Sequence, residues 1–82
     1  MTMTLNQIVN ELKEKATEYI EAGETYKDNL DFNIRQHALN DYMDEFMELA
    51  NFDADERESL VDDAVGQVEE HSDELLEELE VA

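Results

Sequence analysis

The sequence lacks cysteine and proline, and it has only two glycines. Without cysteine there are no disulfides and no thiolate chemistry, which excludes redox function and suits a reducing cytoplasm. With almost no proline or glycine, the usual signals of turns and hairpins are missing, so long helices are expected. The first four residues lack the features of a secretory signal, and no apolar run approaches the length of a membrane span. We therefore expect a cytoplasmic protein without membrane contact.

Basic residues are also scarce. Five Lys and Arg face 24 Asp and Glu, and the formal net charge is -19 in 82 residues. Such a charge repels anions and attracts cationic surfaces, so nucleic acid is excluded as a direct partner and a basic surface is expected. A chain this short forms a single domain, residues 1–82, with a modest core, which leaves a monomer and a homodimer both open.

Apolar periodicity predicts an all-α fold, a small bundle of three to four helices. The first apolar stripe runs from Leu5 to Ile20 with spacings of three and four residues. Thr4 and Gln7 match a capping box before this stripe, and Gly23 stands where a left-handed C-cap belongs. One helix is therefore predicted over about residues 5–22.

The middle of the chain, from Leu30 to Phe52, is apolar on more than one face and is the segment expected to be most buried. Asp28 or Asn29 could cap its helix at the N-terminal end. A break is expected near Asn40, because asparagine and aspartate weaken helix propensity. Two helices, about 29–39 and 41–51, are therefore predicted.

The last helix is expected to begin after Asp53, which offers an N-cap with Glu56 as its N3 partner, and to span about residues 54–80. Its apolar stripe is interrupted at Gly66 and His71. One long helix, two shorter helices and an acidic tail that is disordered after about Glu70 therefore all stay open.

The negative charge is gathered in residues 41–82, which hold 17 acids and a single base, Arg57, whereas residues 1–40 hold 7 acids and 4 bases. A helix over the last segment would carry about one charge per 3 Å of axis, and one strand of B-DNA carries about one per 3.4 Å. A helix that needed only solubility would interleave lysine. The predicted partner-binding carboxylates are Asp41, Asp44, Glu45, Glu48, Asp53, Asp55, Glu56, Asp62, Asp63, Glu69, Glu70, Asp73, Glu74, Glu77 and Glu78.

Other chemistry fits these residues poorly. The segment from Asp53 begins like an EF-hand loop, but Glu58 stands where the turn needs glycine and Ala64 stands where a bidentate glutamate is needed. Neither His37 nor His71 has a glutamate three residues earlier, as a di-iron bundle requires. An activated nucleophile with a base beside it is not recognisable either. We therefore expect no enzyme, no metal and no cofactor.

Acidic segments that contain aromatic residues give the chain a family resemblance. The segments that carry it are Asp28-Asn29-Leu30-Asp31 with Ile34, His37 and Ala38, then Asp41-Tyr42 with Glu45-Phe46, and the acidic, leucine-bearing end from Asp73 to Glu80. They resemble Ocr-like phage antirestriction proteins, which are acidic helical DNA mimics. The resemblance implies an inhibitor that occupies the basic DNA-binding site of a host restriction or CRISPR enzyme, with carboxylates standing where phosphates sit.

An interaction module from a different functional class is the alternative. Such a protein would use its apolar stripes to dimerise or to dock a partner helix, and its acidic surface would serve only solubility. Reversing the charges of the acidic helix would leave partner binding intact for this module and would abolish the activity of a DNA mimic.

Overall fold

The computed structural model describes residues 3–81, and the side chains of residues 3–79. This part of the chain is all-α and contains no strand, as predicted. Helix α1 spans Leu5–Glu21, α2 spans Lys27–Asp41, α3 spans Met43–Leu49 and α4 spans Ala54–Val81. Among these four helices, none combines the length and apolarity needed to cross a membrane.

Helix α1 begins and ends as the local sequence signals predict. The Thr4 hydroxyl accepts a hydrogen bond from the Gln7 backbone N–H at 3.2 Å, and the Gln7 side chain accepts one from the Thr4 N–H at 2.8 Å. This reciprocal pair completes the capping box. At the other end Gly23 has φ +103°, and the Glu24 N–H donates to the Tyr19 carbonyl at 2.9 Å. The chain thus leaves α1 through a Schellman turn.

Helix α2 begins two residues earlier than predicted. Its N-cap is Tyr26, which makes no side-chain capping bond, so the expectation of Asp28 or Asn29 as the cap is wrong. Lys27, the first helical residue, forms an ion pair of 2.6 Å with Asp31 one turn later. The Asp28 carboxylate lies in the first turn, where it interacts favourably with the helix dipole. These interactions support the earlier start.

The break between α2 and α3 falls at Tyr42, and the expected position near Asn40 is two residues too early. Asn40 and Asp41 stay helical, whereas Tyr42 has φ -123° and ψ 16°. The Tyr42 ring packs against the core, and its hydroxyl interacts with the Glu11 carboxylate of α1. This contact with α1 explains the position of the break, which local propensity alone misplaces.

Helix α4 has 28 residues and spans nearly the whole longest dimension of the molecule, 44 Å. As predicted, the Asp53 carboxylate caps it by accepting a hydrogen bond from the Glu56 N–H at 3.0 Å. The helix continues through Gly66 to Val81 as one element, so the alternatives of two helices or a disordered tail are wrong for the described residues. The fully buried Ser72 donates to the Val68 carbonyl at 3.0 Å, so its hydroxyl does not interrupt the helix.

Helices α1, α2 and α4 form an up-down-up bundle, and α3 is a short connection at one end. The ion pairs Arg35–Asp62 and Lys27–Asp73 occur in opposite order along α2 and α4, so these two helices are antiparallel. The core draws on all four helices. Its buried apolar side chains are Ile8, Val9, Leu12, Ala16, Ile20, Leu30, Ile34, Ala38, Phe46, Val61, Ala64, Val65 and Val68.

Gly66 lies in the interior of α4, and a Cβ placed there would have no atom within 4 Å. Glycine costs about 0.5–1 kcal/mol relative to alanine inside a helix, because it loses more backbone entropy on folding. We therefore expect Gly66→Ala to raise the free energy of unfolding by about that amount in urea denaturation. Gly23→Ala is the matched control and should destabilise, because Gly23 has φ +103°. A loss of stability in Gly66→Ala would contradict the expectation.

Candidate interaction surface

The acids of α4 divide into groups by their direction relative to the core. The helix turns by about 100° per residue, so the buried side of α4, centred on Val61, Val65 and Val68, defines an opposite side that faces solvent. A row of exposed carboxylates follows that solvent side. We call this row the outer ridge, and its members are Glu56, Asp63, Glu70, Glu74 and Glu77.

Four members of the outer ridge recur every seventh residue, at positions 56, 63, 70 and 77. Seven residues are almost two helical turns, so these carboxylates lie nearly in line, about 10.5 Å apart along the axis. Glu74 lies one turn after Glu70 on the same side. The outer ridge is therefore a straight array of negative charge along α4.

The flank of α4 that faces α2 is different, because its acids have basic partners. Asp62 lies 2.6 Å from the Arg35 guanidinium, and Asp73 lies 3.3 Å from the Lys27 ammonium. Partial burial lowers the pKa of Lys27, but hydrogen bonds and the charges of Asp31 and Asp73 outweigh it and raise the pKa above 10.5. The two bases of α2 thus pair with Asp62 and Asp73 on this flank, whereas no ion pair among the described residues involves a member of the outer ridge.

Two predicted partner-binding carboxylates have local structural roles. Asp41 lies 2.9 Å from the Nδ1 atom of His37, one turn earlier on α2. Asp53 is the N-cap of α4, where it accepts the backbone N–H of Glu56. Both side chains are exposed, but their oxygens already have hydrogen-bond partners within the fold.

The remaining predicted residues are spread over the surface and do not join the outer ridge. Glu45 and Glu69 are half-buried, and Asp44, Glu48 and Asp55 are exposed. Glu78 is exposed on the flank of α4 that faces α1. The structure therefore brings five of the predicted carboxylates into one array and places the other ten elsewhere.

The two histidines, which have no predicted role, connect helices. The Tyr19 hydroxyl lies 2.6 Å from Nε2 of His37, whose Nδ1 atom faces Asp41. The arrangement fits a tautomer in which Nδ1–H donates to Asp41 and Nε2 accepts from Tyr19. His71 joins α4 to α1 through a 3.2 Å contact of its Nε2 with the Thr17 hydroxyl. Within the described residues no three His, Asp or Glu side chains form a group that could hold a metal ion.

Tyr42, at the break between α2 and α3, is set in acidic surroundings. Partial burial, together with the carboxylates of Glu11, Asp41 and Glu45, raises the pKa of Tyr42 from 10.0 to about 12. Each of these effects disfavours the phenolate. The Tyr42 hydroxyl therefore stabilises the fold only while it carries its proton.

Tyr42→Phe should make the fold less sensitive to alkaline pH. The folded-state pKa lies above the ordinary value, so the contribution of the hydroxyl is complete below pH 10 and is lost as the pH rises towards about 12. Urea denaturation between pH 9 and about 12 should show a falling free energy of unfolding in the wild type and a shallower fall in the variant. Tyr26→Phe, at an exposed ring, should keep the wild-type slope. Equal slopes in the wild type and Tyr42→Phe would contradict this account.

Among the side chains that the structure describes, four large apolar or aromatic ones are exposed away from the outer ridge, at Tyr26, Phe32, Phe52 and Leu79. Phe52 is 71% exposed and has φ +61°, directly after Asn51 with φ +53°. Asparagine tolerates the left-handed conformation, whereas for phenylalanine it costs about 1 kcal/mol or more. The turn between α3 and α4 thus has a strained backbone at Phe52, and the ring of this residue faces solvent.

The surface of this chain has two notable features, an uncompensated acidic array and a few exposed apolar side chains outside it. No family model, curated protein or solved structure matches the chain. What the surface can do follows from its charge and geometry. A regular line of fixed negative charge is suited to a partner whose own surface carries a line of Lys and Arg.

Proposed function

We propose that this protein is a DNA mimic that inhibits a host defence enzyme, of a restriction or CRISPR system, by occupying its basic DNA-binding site. The observation that carries the proposal is the outer ridge, with four carboxylates in line on one helix and the α2 bases held on another flank. Its interval of about 10.5 Å is close to the axial rise of three nucleotide steps in B-DNA, about 10.2 Å, so the two arrays have a similar charge density along their axes. From Glu56 to Glu77 the outer ridge is about 32 Å long, which equals the axial rise of roughly nine nucleotides of B-DNA.

In the proposed mechanism, Lys and Arg of the target that normally pair with phosphates pair with carboxylates of the outer ridge. Helix α4 is backed by α1 and α2, so the backbone positions of its charges are fixed before binding, and only the side chains have to be ordered on association. Long-range attraction makes association fast and makes it weaken as salt rises. The inhibitor excludes DNA by competition, which requires no catalytic group and no direct contact with nucleic acid.

Affinity capture from host lysate at modest salt, followed by competition, tests this function. The captured enzyme is mixed with a fluorescent DNA duplex of about 30 base pairs, comparable in length to a site that contacts several phosphates. The protein should displace the duplex, and its affinity should fall as the salt concentration rises. Affinity that stays constant from low to high salt contradicts the proposal. A ternary complex with the duplex still bound contradicts it as well.

The alternative, an interaction module whose acids serve only solubility, is favoured by the exposed apolar side chains Tyr26, Phe32, Phe52 and Leu79. These side chains lie outside the outer ridge. The module therefore predicts that partner binding survives neutralisation of the ridge and is lost when exposed apolar residues are replaced. The DNA mimic predicts the opposite pattern.

A further inference from the structure

A groove follows the seam between the second half of α1 and the end of α4, on the flank of α4 away from α2. One part, about 370 Å³, lies beside Thr17 and His71. The next part, about 330 Å³, is lined by Ile20, Leu75 and Leu79. Thr17 lines both parts, so they adjoin at this residue, and together they follow the seam for about two to three helical turns.

The apolar floor of the groove arises where the core side of α4 extends past the end of α1. Helix α1 ends at Glu21, and the chain turns away at Gly23. Helix α4 continues to Val81, so Leu75 is only half-buried and Leu79 is 53% exposed. Leu79 has the same helical direction as buried core residues, but none of the other helices in the described part of the chain covers it. The exposed Leu79 side chain is therefore a place where an apolar side chain of another molecule could pack.

The rim of the groove is acidic and is separate from the outer ridge. Glu14, Glu18 and Glu21 follow one another along α1 with spacings of four and three residues, and Glu78 stands opposite on α4. Glu18 forms an exposed ion pair of 3.7 Å with Lys15, so Glu14, Glu21 and Glu78 carry most of the negative charge of the rim. Lys13 is the one base among the residues that line the groove in the described part of the chain. An apolar floor with acids along α1 and Glu78 on the α4 side is complementary to a helix with an apolar stripe flanked by Lys or Arg.

We propose that this groove docks a short, basic amphipathic helix of a partner protein. A leucine-sized side chain packs against Leu75 and Leu79, and flanking Lys or Arg side chains pair with Glu21 and Glu78. A second copy of this chain fits the groove poorly, because its own net charge of -19 would meet the acidic rims. The proposal does not depend on the outer ridge, which lies on a different side of α4.

Calorimetric titration with designed peptides tests the proposal. The probe is a helical peptide of about 14 residues made of leucine and lysine, with leucines spaced to form one stripe. Its comparison peptide has the same lysines and carries glutamine for leucine. The leucine peptide should bind at least tenfold more tightly, and Leu79→Gln should remove most of that difference. Phe32→Gln is the matched change at a side chain outside the groove that is 62% exposed, and it should leave the difference in affinity between the two peptides unchanged.

Equal binding of the two peptides, or equal loss in Leu79→Gln and Phe32→Gln, would overturn the proposal. A homodimer in sedimentation equilibrium that Leu79→Gln dissociates would also overturn it, because the occupant would then be a second copy. Neutralising Asp63, Glu70 and Glu77 separates this proposal from DNA mimicry. That variant should still bind the leucine peptide more tightly than the glutamine peptide. Loss of this difference in affinity would mean that the groove is not independent of the outer ridge.

Discussion

Neutralising three carboxylates of the outer ridge, by Asp63→Asn, Glu70→Gln and Glu77→Gln, should weaken displacement of DNA from the target enzyme by about 100-fold. A charge-assisted contact with Lys or Arg contributes about 1 kcal/mol at a partly solvated interface, so three lost contacts correspond to roughly that factor. The three side chains are exposed and seven residues apart, so the changes should leave the helix content unchanged. Competition with a fluorescent duplex at fixed salt measures the displacement of DNA, and circular dichroism measures the helix content.

The matched control makes the same change in net charge away from the outer ridge. Asn10→Lys, Asn29→Lys and Asn40→Lys alter exposed side chains, and three added positive charges change the net charge of -19 by as much as three removed negative ones. This control should stay within about threefold of the wild type, because its effect is limited to the screened overall field. Equal weakening in both variants would show that total charge, and not the ridge, governs binding.

The number of helices and the N-caps of α1 and α4 were predictable, because the signals of these caps are local. Thr4 with Gln7 and Asp53 with Glu56 form their hydrogen bonds within three residues, so the sequence pattern contains the whole interaction. The start of α2 and the break before α3 were misplaced by two residues. The break depends on the contact of Tyr42 with α1, which is not visible in the local sequence. The first turn of α2 is supported both by the local pair of Lys27 with Asp31 and by the ion pair of Lys27 with Asp73 of α4, and only the second requires the tertiary fold.

The concentration of acids in residues 41–82 was also predictable, but how these acids divide between the faces of α4 was only partly predictable. Asp62 and Asp63 are adjacent acids in the sequence, yet Asp62 pairs with Arg35 and Asp63 points away from the core. The spacing of seven residues along the outer ridge, on the side opposite the apolar stripe, is present in the sequence and was sufficient to select these carboxylates. The pairing with Arg35 could not be predicted, because it requires the packing of α2 against α4.

The net charge of -19 opposes folding by self-repulsion, so stability depends on a small core, in which Phe46 is the largest completely buried side chain among the described residues. Phe46→Ala should lower the free energy of unfolding by about 3–5 kcal/mol, since it leaves a cavity beneath α3.

This loss is a large fraction of the stability expected for a domain of this size, so a substantial population should unfold at moderate temperature. Thermal and urea denaturation followed by circular dichroism should show a melting temperature lower by about 15 °C or more. Phe32→Ala is the matched control, and because that ring is 62% exposed it should change the free energy of unfolding by less than about 0.5 kcal/mol. Similar losses at the two positions would mean that α3 is not anchored through Phe46, and that the short helix owes its position to the turns on either side of it.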